Sequence, residues 1–223
     1  MTDEGDLSAC LGIDVTRNKD QTWTLSQPFL IERILKSLNL QNDSKVHDAP
    51  ATETLTSDKN GNPFNEQWHY RSVQVMLTYL AGSTRPDIQF AVHQTSRFCD
   101  DPRECHAKAT KRIGRCLNRS KDKGIIFAPN INNGFEDWAD ADFAGCWNLR
   151  DSNCVRSVLS RSGFVIKHAS CPIAWSSKLQ TEIALSTREA ECVILSQSLR
   201  YLIIMHVFVT YSRLSITIDK RIP

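Results

Sequence analysis

The stretch Glu136 to Gly145, EDWADADFAG, sets Asp137, Asp140 and Asp142 close together in what reads as a β-strand. Side chains of a strand alternate between its faces, so Asp140 and Asp142 project to the same side. Two neighbouring carboxylates repel each other. They either sit in water or face something positive, most simply a divalent metal ion.

Outward from this strand, GIIFAP precedes it, SGFVIKHA and CPIAWSSKLQ follow as two more strands, and ALSTREAECVILSQSLR then begins a helix. Several strands followed by a helix predict a mixed α/β domain with an antiparallel meander on one side. Ser186 is the expected N-cap. Glu189, three residues later, completes a capping box by reaching back to the cap's backbone N–H. Glu191 is left without that task. It sits beside Val193, Ile194 and Leu195, which must face the sheet, so it is placed to meet Asp140 from a central strand. On their own, Glu191 also reads as a solvated helix acid and Asp142 as a polar residue closing a strand before Gly145.

Toward the amino end, CLGIDVTRNKDQTWTLSQ alternates as a hairpin, and QPFLIERILKSLNL has the apolar spacing of an amphipathic helix opened by Pro28. Residues 41–67 lack both periods and read as an extended connector. From Tyr70 two apolar helical stripes are broken by GSTRPD. A third helix follows, with Lys108, Lys111, Arg112, Arg115 and Arg119 on one side and Ile113, Cys116 and Leu117 on the other. Arg103 to Lys123 holds eight Lys and Arg against Glu104 and Asp122, in a chain whose net charge is +2. Such a face either solvates an exposed helix or tracks phosphates.

The chain of 223 residues, 41% hydrophobic and 23% charged, fits one large or two small globular domains. Its eight cysteines are scattered without Cys-x-x-Cys pairs or zinc-finger partners, and are expected as reduced thiols of an intracellular, cytoplasmic or nuclear protein. The start, MTDEGDLSAC, lacks the apolar core of a signal peptide. The most apolar run, Leu199 to Val209, is interrupted by Arg200 and His206 and is short of the roughly 20 residues of a membrane span, so no membrane partner is expected. No Gly-rich phosphate loop is present. Cys105 and His106 are helix neighbours that point in different directions, which disfavours a nucleophile and base pair.

The blocks YRSVQVMLTYLAGSTRPDIQFAVHQTSRF, WADADFAG, SRSGFVI and CPIAWSSKLQTEIALSTREAE, in this order, resemble the carboxyl part of the Pol polyprotein of copia-type LTR retrotransposons. LSACLGIDVTRNKDQTWTLSQPFLIERIL resembles the reverse transcriptase segment just after its catalytic strand. The resemblance implies that 1–124 is a thumb or connection-like end of a reverse transcriptase, made of a hairpin and helices. It implies that 125–223 is a ribonuclease H-like α/β domain, a mixed sheet with packing helices, truncated at its carboxyl end.

By that resemblance Asp140 matches the first catalytic aspartate and Glu191 the second acid. Asp142 matches an acid common at its place and is a third candidate metal ligand. Such enzymes hydrolyse the RNA strand of an RNA·DNA hybrid with two Mg²⁺ ions, or Mn²⁺ in their place. The partners implied are the hybrid or other nucleic acid and the rest of a Pol polyprotein. Lys108, Lys111, Arg112, Arg115 and Arg119 would follow the backbone. The polymerase aspartate pair is not among these residues, so DNA synthesis is not expected. The family's strand carrying a further carboxylate has no match after SQSLR. Asp219, behind Ile216, Thr217 and Ile218, is the candidate for it. Loss of that carboxylate implies impaired cleavage, and leaves a non-catalytic nucleic-acid-binding module or an inactive remnant as the alternatives.

Overall fold

The structure is a computed structural model that describes residues 8–219 except 44 and 153, with backbone alone for 150 and 212–219. Over the described residues it is mixed α/β, with two antiparallel sheets and five α-helices, and it divides into two compact units. The first holds residues up to Ala128 together with Ala144–Leu159; the second holds Pro129–Phe143 and the chain from Ser160.

In the first unit, β1 (Ala9–Cys10), β2 (Ile13–Arg17) and β3 (Trp23–Ser26) form the expected hairpin with a short extra strand. The sheet closes with β4 (Ile125–Phe127), paired to β3 through Leu25↔Ile125 and Trp23↔Phe127. This corrects the assignment of GIIFAP to the carboxyl-terminal domain. The pairing depends on Gly124, where an added Cβ would lie 2.0 Å from the Leu25 carbonyl oxygen, so only glycine lets the backbones approach.

Helices α1 (Pro28–Ser37), α2 (Tyr70–Ser83), α3 (Gln89–Ser96) and α4 (Glu104–Arg119) enclose the core of this unit. Ile31, Ile34, Leu35, Leu77, Leu80, Ile88, Ile113 and Leu117 are almost wholly buried there. Their i, i+3, i+4 spacing follows from the helical repeat. A polar thread crosses the core: Gln74 donates to Thr110 Oγ1 and accepts from Thr95 Oγ1, both at 2.9 Å, and Tyr70 donates to the Thr95 carbonyl at 2.9 Å. With each group satisfied, the burial cost of these polar atoms is offset. Burial pushes the Tyr70 hydroxyl well above the usual tyrosine range.

The GSTRPD break is structural. Arg85, 3% exposed, pairs with Asp87 at 2.7 Å and donates to the Ser120 carbonyl at 3.0 Å, which satisfies an acceptor where α4 ends.

The second unit is a meander of β5 (Phe135–Asp142), β6 (Arg161–His168) and β7 (Cys171–Leu179), in the order β5-β6-β7, followed by α5 (Thr187–Asp219). Both sheets are antiparallel, so the mixed sheet expected from the sequence is corrected for the described residues. Among the described residues β5 is also an edge strand rather than a central one. Alpha5 packs on β5 and β6. Ala190 and Ile194 bury against Ala141, Phe164 and Ile166, and Tyr201 lies 5.1 Å from the Phe164 ring.

Two expectations about α5 change. The strand proposed over Ile216 to Ile218 is helix. The apolar run is not cut short at Arg200 or His206, and Thr187–Tyr211 is long and apolar enough to cross a membrane by length and composition. A charged or polar residue inside a helix leaves its i to i−4 backbone bonds intact, which is why neither interrupts it. The amino-terminal half of this helix is committed to the sheet through Ala190 and Ile194, with Leu202 partly buried beside them.

Candidate carboxylate site and basic helix

Strand alternation places the acids of β5. Phe135, Ala139 and Ala141 face α5, and Asp137 shares their side. Glu136, Trp138, Asp140 and Asp142 take the opposite face, as expected for the last two, and Asp140 and Asp142 are both exposed. Across the ladder Asp140 stands opposite Gly163 and Asp142 opposite Arg161.

The start of α5 is built as a cap. Ser186 Oγ accepts the Glu189 N–H at 3.1 Å, and Glu189 Oε2 accepts the Leu185 N–H at 2.7 Å. The reach of Glu189 goes one residue further back than the capping box predicts. Glu191 has no part in this cap. It is half-buried at the flank of the face that α5 lays on the sheet.

The packing of α5 on β5 therefore brings the elements of Asp140 and Glu191 together, while Asp140 itself leaves the sheet on the side away from the helix. Asp219 does not join them. It lies in the same helix as Glu191, roughly 42 Å further along the axis at 1.5 Å per residue. Among the described residues no group of three or more His, Cys, Asp or Glu is disposed to hold a metal ion. A two-metal centre shares its ions among several carboxylates, so the described acids do not fit the pair of Mg²⁺ or Mn²⁺ ions that the resemblance implies.

Asp137 carries the signal that the spacing of the acids hides. Both of its carboxylate oxygens are buried without a hydrogen-bond partner among the described residues. Its parity with Ala139 and Ala141, two small residues on a closely packed face, was the feature in the sequence that marked it as inward.

The basic helix is more occupied than its sequence suggests. Lys111 pairs with Glu66 at 2.8 Å, Arg115 with Asp43 at 2.8 Å, Arg119 with Asp48, and Lys108 with Glu104 at 2.6 Å. Arg112 donates to the Ala49 carbonyl at 3.1 Å. Three of the four acids and the carbonyl come from the 41–67 connector, which is thereby strapped along α4. Hydrogen bonds from the Lys45 backbone N–H and the Arg115 guanidinium hold Asp43 below the usual carboxylate range. His47 is held below the usual imidazole range by burial and then by Arg112 and Arg115. A cavity of about 280 Å³ lies between this strap and the helices, lined in part by His47, Leu55, Gln94, Arg112 and Ile113.

Comparison with known proteins assigns this arrangement to a family. The chain is 32% identical over 191 residues to the retrovirus-related Pol polyprotein from transposon RE1 of Arabidopsis thaliana, covering 86% of this chain and 12% of that protein. It is 33% identical over 205 residues to the Pol polyprotein from transposon TNT 1-94 of Nicotiana tabacum, covering 86% of this chain and 14% of that one. It is also 34% identical over 129 residues to secreted RxLR effector protein 161 of Plasmopara viticola, covering 58% of this chain and 85% of that protein. No family model matches the chain, and no solved structure matches it. The chain belongs to the retrovirus-related Pol polyproteins of copia-type transposons and spans 12% to 14% of the length of these Pol relatives.

Proposed function

We propose that the chain is a Pol-derived segment whose second unit is ribonuclease H-like in its meander and first helix but does not cleave. Its remaining capacity is sequence-independent binding of a nucleic-acid backbone, with an RNA·DNA hybrid as the reference ligand. The absence, among the described residues, of any group of three or more His, Cys, Asp or Glu disposed to hold a metal ion carries this reading. Asp140 leaves β5 on the side away from the helix that carries Glu191, so the two do not align an ion between them, and misplaced reacting groups cost ~100-fold or more in rate. The concentration of Lys108, Lys111, Arg112, Arg115 and Arg119 on α4 supports binding, because each phosphate neutralised releases counterions.

One observation favours a second reading, in which cleavage persists. β5 is an edge strand, and a partner strand added beside Asp140 would supply the missing acid. Binding of a labelled hybrid across a salt series, with and without Mg²⁺, tests the first reading. Affinity that falls steeply with salt and ignores Mg²⁺ is expected; affinity that requires Mg²⁺ favours the second.

A further inference from the structure

The row of cations on α4 has a regular geometry. Lys111, Arg115 and Arg119 are spaced four residues apart, so they line one side of the helix at intervals of roughly 6 Å. Each holds a carboxylate from the same connecting segment: Glu66, Asp43 and Asp48. Arg112, beside that row, holds a backbone carbonyl of the segment. The strap thus presents anionic groups along the helix where a polyanion would set its phosphates. Among the described residues it contributes no helix or strand of its own beyond an isolated bridge at Pro63, and the ion pairs and Arg112 hold it to α4 together with hydrogen bonds of Asn118 and His106 to the Asp43 and Thr56 carbonyls and the packing of Ala51 and Phe64 on the core.

We propose that this strap is an intramolecular competitor for the basic helix. Asp43, Asp48 and Glu66 hold the phosphate-facing cations until a nucleic-acid backbone displaces them. The inference rests on the reading of α4 as a backbone-binding face and adds its regulation.

The pairs differ in strength along the row. Asp48 and Arg119 are 82% and 58% exposed, and exposed pairs contribute little and are screened by salt. Asp43 and Arg115 are 18% and 23% exposed and hold more firmly. Displacement therefore begins at Arg119, and the Asp43–Arg115 pair is the last to yield. A free strap exposes all three cations together, so the masked and open states differ in the number of phosphates they can neutralise. That number sets the salt slope of binding.

The test compares the parent chain with Asp48→Asn and with the triple variant Asp43→Asn, Asp48→Asn, Glu66→Gln. Fluorescence anisotropy with a labelled RNA·DNA hybrid reads affinity and its dependence on salt. Asp48→Asn is expected to bind about threefold more tightly and the triple variant about tenfold or more, with a steeper salt slope. Adding Lys111→Gln and Arg115→Gln to the triple variant should remove the gain. Equal affinity and equal slope for parent and folded triple variant would overturn the competitor. If neither binds, although circular dichroism shows both folded, the backbone-binding reading itself fails and the inference falls with it. Should the triple variant not fold, Asp48→Asn alone decides, because its pair is too exposed to support the fold.

Discussion

Asp137 stands opposite Ile166 across the β5–β6 ladder, on the face covered by α5, with both carboxylate oxygens buried and unpartnered among the described residues. Taking a carboxylate out of water without a partner is costly, and well-packed neutral or apolar replacements at such places are neutral or stabilising. Asp137→Asn and Asp137→Leu are therefore expected to raise the unfolding free energy, by about 1 to 3 kcal/mol for the better of the two. Urea denaturation measures it. A loss of stability in both would show that the carboxylate has a compensating partner.

His106 makes acid stability predictable. Its ring is wholly buried and stacked 3.9 Å from Phe98; Nδ1 accepts the Arg103 N–H at 2.9 Å and Nε2 donates to the Thr56 carbonyl at 2.8 Å. Both nitrogens are used by the neutral ring, and burial holds its pKa below the ordinary 6.5. The unfolded chain takes up this proton first. The stabilisation is complete above about pH 6.5 and is lost as pH falls through the folded-state value. Denaturation midpoints measured from pH 8 to pH 5 should decline below about 6.5, and His106→Gln should flatten that part of the curve.

The cap of α5 separates two glutamates that differ little in sequence. Ser186→Ala and Glu189→Ala each remove a partner of an end N–H and are expected to cost about 1 kcal/mol. Glu191→Gln, outside the cap, should stay within about 0.5 kcal/mol of the parent. Thermal melts of the three variants settle the order. A larger loss at Glu191 than at Glu189 would reverse the assignment.

Thiol chemistry should divide the cysteines by environment. Burial and a hydrogen bond with Asp58 push the Cys105 thiol up to about 11, whereas Cys192 is exposed on α5. At pH 8 iodoacetamide is expected to modify Cys192 well before Cys105, since the thiolate is the reacting form. Mass spectrometry of timed samples reads the order directly.

Much of the local structure was legible because period and punctuation agreed. The hairpin at Ile13 to Ser26, the helix opened by Pro28, the GSTRPD break and the Ser186 cap each rest on interactions between near neighbours. The larger errors are long-range. Nothing in GIIFAP distinguishes a strand that pairs with Leu25, about a hundred residues away, from one that begins the next domain. The β-branched run Ile216 to Ile218 favours a strand by propensity, yet it continues a helix already nucleated at Ser186. At the candidate site, the shared side of Asp140 and Asp142 followed from alternation. That Asp137 turns inward was written in its parity with Ala139 and Ala141, whereas the occupation of the basic helix by the connector's Asp43, Asp48 and Glu66 depended on partners that only the folded chain brings together.

The most direct test of the central claim is incubation of the purified chain with an end-labelled RNA·DNA hybrid in Mg²⁺ and then in Mn²⁺, beside Asp140→Asn and Glu191→Gln. Retained binding, intact RNA in every lane, and no difference between parent and variants are expected. RNA cut by the parent and left whole by Asp140→Asn and Glu191→Gln would contradict that claim, and would establish a working metal site built on those two acids.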